Sequence, residues 1–226
     1  MKRKRGLKGL AILVVILTLV MGLASCGEMS PSDVVNAEFE SLKDMKGKDP
    51  QFDKGVKLAI KENEQLSDDE LDEFYQKNIV DSGLRDSLIK MIGTSKYKIQ
   101  DEKINGDKAT VKVLVENKKY GEAFLKAGEA NLDGYLQGLV ERALRGEDLN
   151  DEKMLDAFMK FFGDNMKTAL NTAEDGYKRE VTLKLEKGKD GWELCDSEEM
   201  DSELVDALVG GIGQGLDDLT EIMSKK

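Results

Sequence analysis

Between Lys108 and Asn117 the chain alternates strictly: Ala109, Val111, Val113 and Val115 fall on one side, Thr110, Lys112 and Glu116 on the other. A period of two sustained over that length specifies a strand with one buried and one wet face. The pattern returns from Tyr177 to Lys187, where Tyr177, Val181, Leu183 and Leu185 alternate with charged residues. Turn residues Asn105-Gly106-Asp107 precede the first stretch and Gly188-Lys189-Asp190-Gly191 follow the second. Lys96 to Lys103, through Tyr97 and Ile99, supplies a partner strand for the first stretch, and Trp192 to Cys195 one for the second. Two antiparallel hairpins follow, each with an apolar face that something else has to cover.

Helical periodicity fills the rest. Ser30-Pro31 is an N-cap with proline at the first helical position, and Val35, Phe39 and Leu42, widened by Val34 and Met45, form a stripe ending near Gly47. A weaker pattern runs from Phe52 to Asn63. Ser67-Asp68-Asp69-Glu70 is a capping box ahead of Leu71, Phe74 and Tyr75, and a short helix through Leu84, Leu88, Ile89 and Ile92 stops at Gly93. A helical pair lies between the hairpins. Glu122 to Arg145 places Leu132, Tyr135, Leu136, Leu139, Ala143 and Leu144 on one side, with a break expected near Gly128. Asp151 to Asn171 carries Leu155, Phe158, Met159, Phe162, Met166 and Leu170; Met154 and Phe161 widen that stripe and predict burial on more than one side, as core, with a lipid or peptide groove as the alternative. The final helix, roughly 201–223, is interrupted by the glycines of 210–215. The fold class is α+β: an antiparallel sheet of about four strands packed on several helices.

The amino terminus has a different pattern. Lys2, Arg3, Lys4, Arg5 and Lys8 precede an apolar run from Leu10 to Val20, and Leu23-Ala24-Ser25-Cys26 follows. This is a secretory signal peptide, and its last four residues resemble the lipobox of bacterial lipoproteins. The resemblance implies diacylglyceryl transfer to Cys26 and cleavage between Ser25 and Cys26. The apolar stretch from Leu10 to Ala24 spans only about 22 Å as a helix, short of the ~30 Å hydrocarbon core. Residues 1–25 are therefore read as the signal, 26–30 as a lipidated tether reaching about 15 Å, and 31–226 as one domain at the extracytoplasmic face of the cell membrane.

Loss of the signal takes five Lys and Arg and no acid from the chain's 34 and 45, which leaves a formal charge of −16. Such a chain lacks the basic stripe that nucleic acid requires, and attachment to the membrane falls to lipid on Cys26 rather than to charge. With Cys26 in thioether linkage, Cys195 is the one free thiol and no disulfide forms. The chain has no histidine, which removes Ser-His and Cys-His pairs and His-bearing zinc sites. Ser87-Leu88-Ile89-Lys90 and Ser95-Lys96-Tyr97-Lys98 match S-x-x-K, but Lys167-Thr168-Ala169 lacks the glycine of a K-T-G partner. The start at Asp148 fails as a calcium loop at Lys153 and Met159, and the acids 68–73 are explained by a helix start. No catalytic residue, metal or cofactor is expected.

Asn105-Gly106-Asp107-Lys108-Ala109-Thr110-Val111, Val181-Thr182-Leu183, Gly191-Trp192-Glu193-Leu194, the opening Ser30-Pro31-Ser32-Asp33-Val34-Val35 and the later Asp206-Ala207-Leu208-Val209-Gly210-Gly211-Ile212 together resemble small Gram-positive lipoproteins. Those contain a domain of unknown function with a cystatin-like, nuclear transport factor 2-like fold. The resemblance implies a curved sheet wrapped around helices, with a cavity in its concavity. The expected function is non-enzymatic binding of a small apolar ligand or an envelope protein partner. The alternatives are a hydrolase-type enzyme using carboxylates or tyrosine in a cone-shaped pocket, and a structural accessory of an envelope complex. If the concavity is open, Trp192, Tyr97 and Tyr177 are the residues to line it.

Overall fold

The computed structural model describes residues 29–43, 50–63, 66–148, 150–195 and 198–225; the signal, Ser25, Cys26 and Gly47 lie outside them. Eight α-helices and four strands follow in the order α1 (Pro31–Lys43), α2 (Pro50–Asn63), α3 (Asp68–Tyr75), α4 (Leu84–Gly93), β1 (Lys96–Asn105), β2 (Lys108–Lys118), α5 (Tyr120–Leu144), α6 (Asp151–Thr172), β3 (Asp175–Lys187), β4 (Trp192–Leu194), α7 (Glu198–Leu208) and α8 (Ile212–Ser224). One π-helical turn, Gln76–Val80, extends α3. The fold is α+β, as the periodicities predict.

The two hairpins join through β2 and β3 into one antiparallel sheet ordered β1-β2-β3-β4. Val113 pairs with Val181, Val111 with Leu183 and Ala109 with Leu185, so the alternating residues of both central strands share one face, and all of them are buried. The opposite face carries a cross-strand ladder of Lys112 with Glu180 and Lys108 with Glu186, exposed to solvent. Two helices cover the inner face. α1 touches β1, β2 and also β4, so it spans both edges of the curved sheet, while α7 lies on β2 and β3. Val35, Phe39, Leu42, Leu204, Val205 and Leu208 fill the concavity.

A bulge at Gln100 shifts the register of β1 between Ile99 and Asp101. Ahead of it the odd residues Tyr97 and Ile99 face inward; beyond it Glu102 pairs with Val111 and takes the inward position. There the Glu102 carboxylate accepts the backbone N–H of Ser32 (2.7 Å) at the start of α1, where the helix dipole favours an anion. At the other end of α1, the Lys43 ammonium sits 4.4 Å from the Tyr97 ring centroid. The chain thus enters beside the Gly106 turn and runs antiparallel to β1.

The helical pair leaves from the opposite end of the sheet. β2 ends at Lys118 and α5 starts at Tyr120; α6 ends at Thr172 and β3 starts at Asp175. Twenty-five residues give α5 a length of about 37 Å. The break expected at Gly128 is absent. Gly128 is there for close packing instead: a Cβ on it would meet the Leu219 side chain at 2.6 Å. Near the root of α5, a Cβ on Gly121 would meet the Gly211 carbonyl oxygen at 1.9 Å, and one on Gly215 the Gly121 oxygen at 2.4 Å. α8 therefore runs beside the first half of α5 at near backbone contact. Asn117 ties this junction together. Its Nδ2 donates to the last-turn carbonyls of Met91 (3.1 Å) and Leu208 (2.6 Å), and its Oδ1 accepts from Thr94 Oγ1 (2.9 Å).

Candidate functional site

The three aromatic residues expected to line a cavity do not meet. Tyr97 stands near the start of β1, where it stacks on Phe39 at 4.5 Å between centroids and directs its hydroxyl to Asn36 and Glu40 of α1. Burial and the Glu40 carboxylate push its phenol well above the usual tyrosine range. Tyr177 lies at the same end of the sheet, paired with Asn117, and its ring closes over Gly211. Trp192 pairs with Lys187 at the far end, half-buried at the rim of the core, with the Lys187 ammonium 5.9 Å from its ring. Between the two ends the inner face is occupied by α1 and α7.

Glu38 of α1 is the buried carboxylate of the inner layer, 8% exposed and without a hydrogen bond or ion pair among the described residues. Burial raises its pKa. A second polar centre joins α2, α3 and α4: Tyr75 Oη and Arg85 Nε both donate to Asp53 Oδ1 at 2.6 Å, and the guanidinium lies 5.8 Å from the Phe52 ring. Two donors from different helices converge on one carboxylate oxygen, which makes it a clamp between helices. Arg179 Nη1 likewise donates to Asp206 Oδ2 (2.8 Å), while Asp206 Oδ1 accepts the Gly213 N–H (2.7 Å) and caps α8. The Cys195 thiol is pushed up by burial and by Glu186, so little thiolate forms at neutral pH. Among the described residues no three His, Cys, Asp or Glu side chains are placed to hold a metal, and no helix is long and apolar enough to cross a membrane.

The feature that the fold leaves exposed is on the helical pair. Leu132, Leu136, Val140 and Leu144 occupy one row of α5 at four-residue spacing. Leu132 is fully buried under α8, Leu136 is half-buried, Val140 is 57% exposed and Leu144 82% exposed. The cause is the neighbour: α8 lies on Gly121 and Gly128 and ends at Ser224, while α5 runs on to Leu144. Leu139, Leu155, Phe158 and Met159 stay half-buried around the same stretch, and Met154 of α6 is 38% exposed. Burial of the α6 stripe on more than one side is thus met at its root, by Phe161 and Phe162, but not at Met154. On the sheet, Ile104 beside the Gly106 turn is the comparable residue among those described.

No protein-family model, curated protein or solved structure matches the chain. The site is therefore read from its own residues. Sequence reasoning placed Leu136 and Leu144 on the apolar side of α5 and left out Val140, without saying which part of the stripe is covered. Four-residue spacing of Leu132, Leu136, Val140 and Leu144 was the available signal; which part of the row a neighbour covers depends on where α8 stops.

Proposed function

We propose that this chain is a lipid-anchored extracytoplasmic protein that captures a protein partner and carries out no chemistry of its own. The observation that carries the reading is the emergence of the Leu132–Leu144 row into solvent on a projecting helical pair, while the concave face of the sheet is filled by its own helices. Exposed apolar residues grouped in this way are the usual mark of a protein contact. Anchoring rests on the signal and Cys26. α1 starts at the Gly106 end of the sheet and the helical pair leaves from the other end.

The experiment is made in intact cells. Labelled palmitate should enter the parent chain and not Cys26→Ala, and a photo-crosslinking amino acid at position 144 should give a discrete protein adduct that the same amino acid at 184, on the outer face of the sheet, does not. Equal labelling of parent and variant refutes the anchor. Equal adducts from both positions, or none, refute the partner surface.

The rival, an enzyme, has one observation in its favour: Glu38 is a buried carboxylate with a raised pKa and with no hydrogen bond or ion pair among the described residues.

A further inference from the structure

Resting on that partner-binding reading, we infer that the distal half of the α5–α6 pair is a groove for one amphipathic helix whose apolar face is flanked by Lys or Arg. The apolar lining comes from Leu136, Val140 and Leu144 of α5, and Leu155 and Phe158 in the first turns of α6 are likewise half-buried. α8 ends at Ser224 and packs on the first half of α5, and the distal row is long enough to seat a further helix. A helix presenting residues at i, i+4 and i+7 buries such a row.

Charge selects among helices. Glu129, Asp133, Gln137 and Glu141 form the adjacent row of α5, also at four-residue spacing and all exposed. They stand at the outer rim of the apolar row along its whole length. The nearby cations of the α5 terminus are engaged elsewhere: Arg142 Nε bonds Glu147 at 2.8 Å, and Arg145 Nε lies 3.5 Å from the same carboxylate. An acidic rim around an apolar seat repels a second copy of this −16 chain and attracts a basic helix.

The test titrates two fluorescent 15-residue peptides into the full chain, purified from membranes and held in phosphatidylcholine nanodiscs. Both carry leucine at i, i+4, i+7 and i+11; one has lysine at the flanking positions, the other glutamate. Fluorescence anisotropy, with empty nanodiscs subtracted, should show the Leu/Lys peptide binding at least about tenfold more tightly than the Leu/Glu peptide. Val140→Glu with Leu144→Glu should weaken it by about tenfold or more, although the two changes add negative charge that plain attraction would reward. Glu129→Gln with Glu141→Gln should weaken it by roughly threefold and flatten its salt dependence. Lys184→Glu, on the outer face of the sheet, should leave it unchanged. Equal binding of both peptides, indifference to Val140 and Leu144, or binding no greater than that of empty nanodiscs overturns the proposal. So does a dimer by sedimentation that Val140→Glu with Leu144→Glu dissolves, since the occupant is then a second copy. Failure of the anchor shows separately, as recovery of the chain from the soluble fraction, where the same titration runs in buffer.

Discussion

The concave face of the sheet and the distal half of the helical pair are built from the same kinds of side chain and end up differently. On the sheet, Val111, Val113, Val115, Val181, Leu183 and Leu185 meet α1 and α7 and lose essentially all their exposure. On the helical pair, Leu136, Val140 and Leu144 have the same apolar character and lie in equally regular register, yet surface progressively once α8 ends. Hydrophobic pattern states what an element can bury; the neighbours decide whether it does. Where a covering helix stops short of the element it covers, apolar surface of several residues is left with its geometry already fixed.

The widest separation between the two regions should come from truncating one large side chain in each. Phe39 is 2% exposed in the concavity and stacks on Tyr97, so Phe39→Ala should cost about 3–5 kcal/mol, which lowers the melting temperature by roughly 10 °C in a domain of this size. Leu144→Ala removes a side chain 82% exposed and should change stability by less than about 0.5 kcal/mol. Thermal melts by circular dichroism read both. A loss at Leu144 comparable to that at Phe39 means that the distal row is covered and ends the comparison.

Glycines sharpen it further. Alanine at Gly121 puts a methyl 1.9 Å from the Gly211 carbonyl oxygen, a backbone atom that cannot swing aside, and should cost about 2–3 kcal/mol by forcing α8 away from α5. Gly138, in the uncovered half of the same helix, has nothing within 4 Å of the added methyl. There Gly138→Ala should stabilise by about 0.5–1 kcal/mol through helix propensity alone. Denaturant titration measures both, and the opposite signs are the content of the prediction. Destabilisation at Gly138 means that its open side is occupied.

Strand alternation was legible because β2 and β3 are wet on one face and dry on the other, which imposes a period of two on the residues themselves. The helix ends at Ser67 and Gly93 were legible for a similarly local reason: a cap is chemistry between neighbours, and the Ser67–Glu70 capping box forms as its spacing predicts. Three features depended on distant partners and were not. No residue type marks the bulge at Gln100, which only the pairing with β2 and the meeting of Glu102 with Ser32 explain. Gly128 reads locally as a helix breaker, but Leu219, ninety-one positions later, makes it a contact. Val140 lies on an apolar stripe whose covering depends on where α8 ends. The candidate site was hidden for that last reason.

The smallest effect concerns the cost of covering a face that contains a carboxylate. Glu38 is buried on α1 without a partner among the described residues, and burial raises its pKa above the unfolded value. The sign follows from linkage. Below the unfolded pKa, near 4.5, the carboxyl is protonated in both states and folding carries no penalty for it. As pH rises through the higher folded value, the unfolded chain ionises freely while the folded one holds a charge in a poor solvent, and stability falls. Glu38→Gln keeps the shape and removes the charge. It should therefore melt about 2 °C above the parent at pH 7.5, with the gap closing as pH drops to about 4. A gap that stays constant with pH removes ionisation as its cause. A variant that melts below the parent at pH 7.5 means that the carboxylate has a favourable partner, and that result reopens the enzymatic reading at this residue.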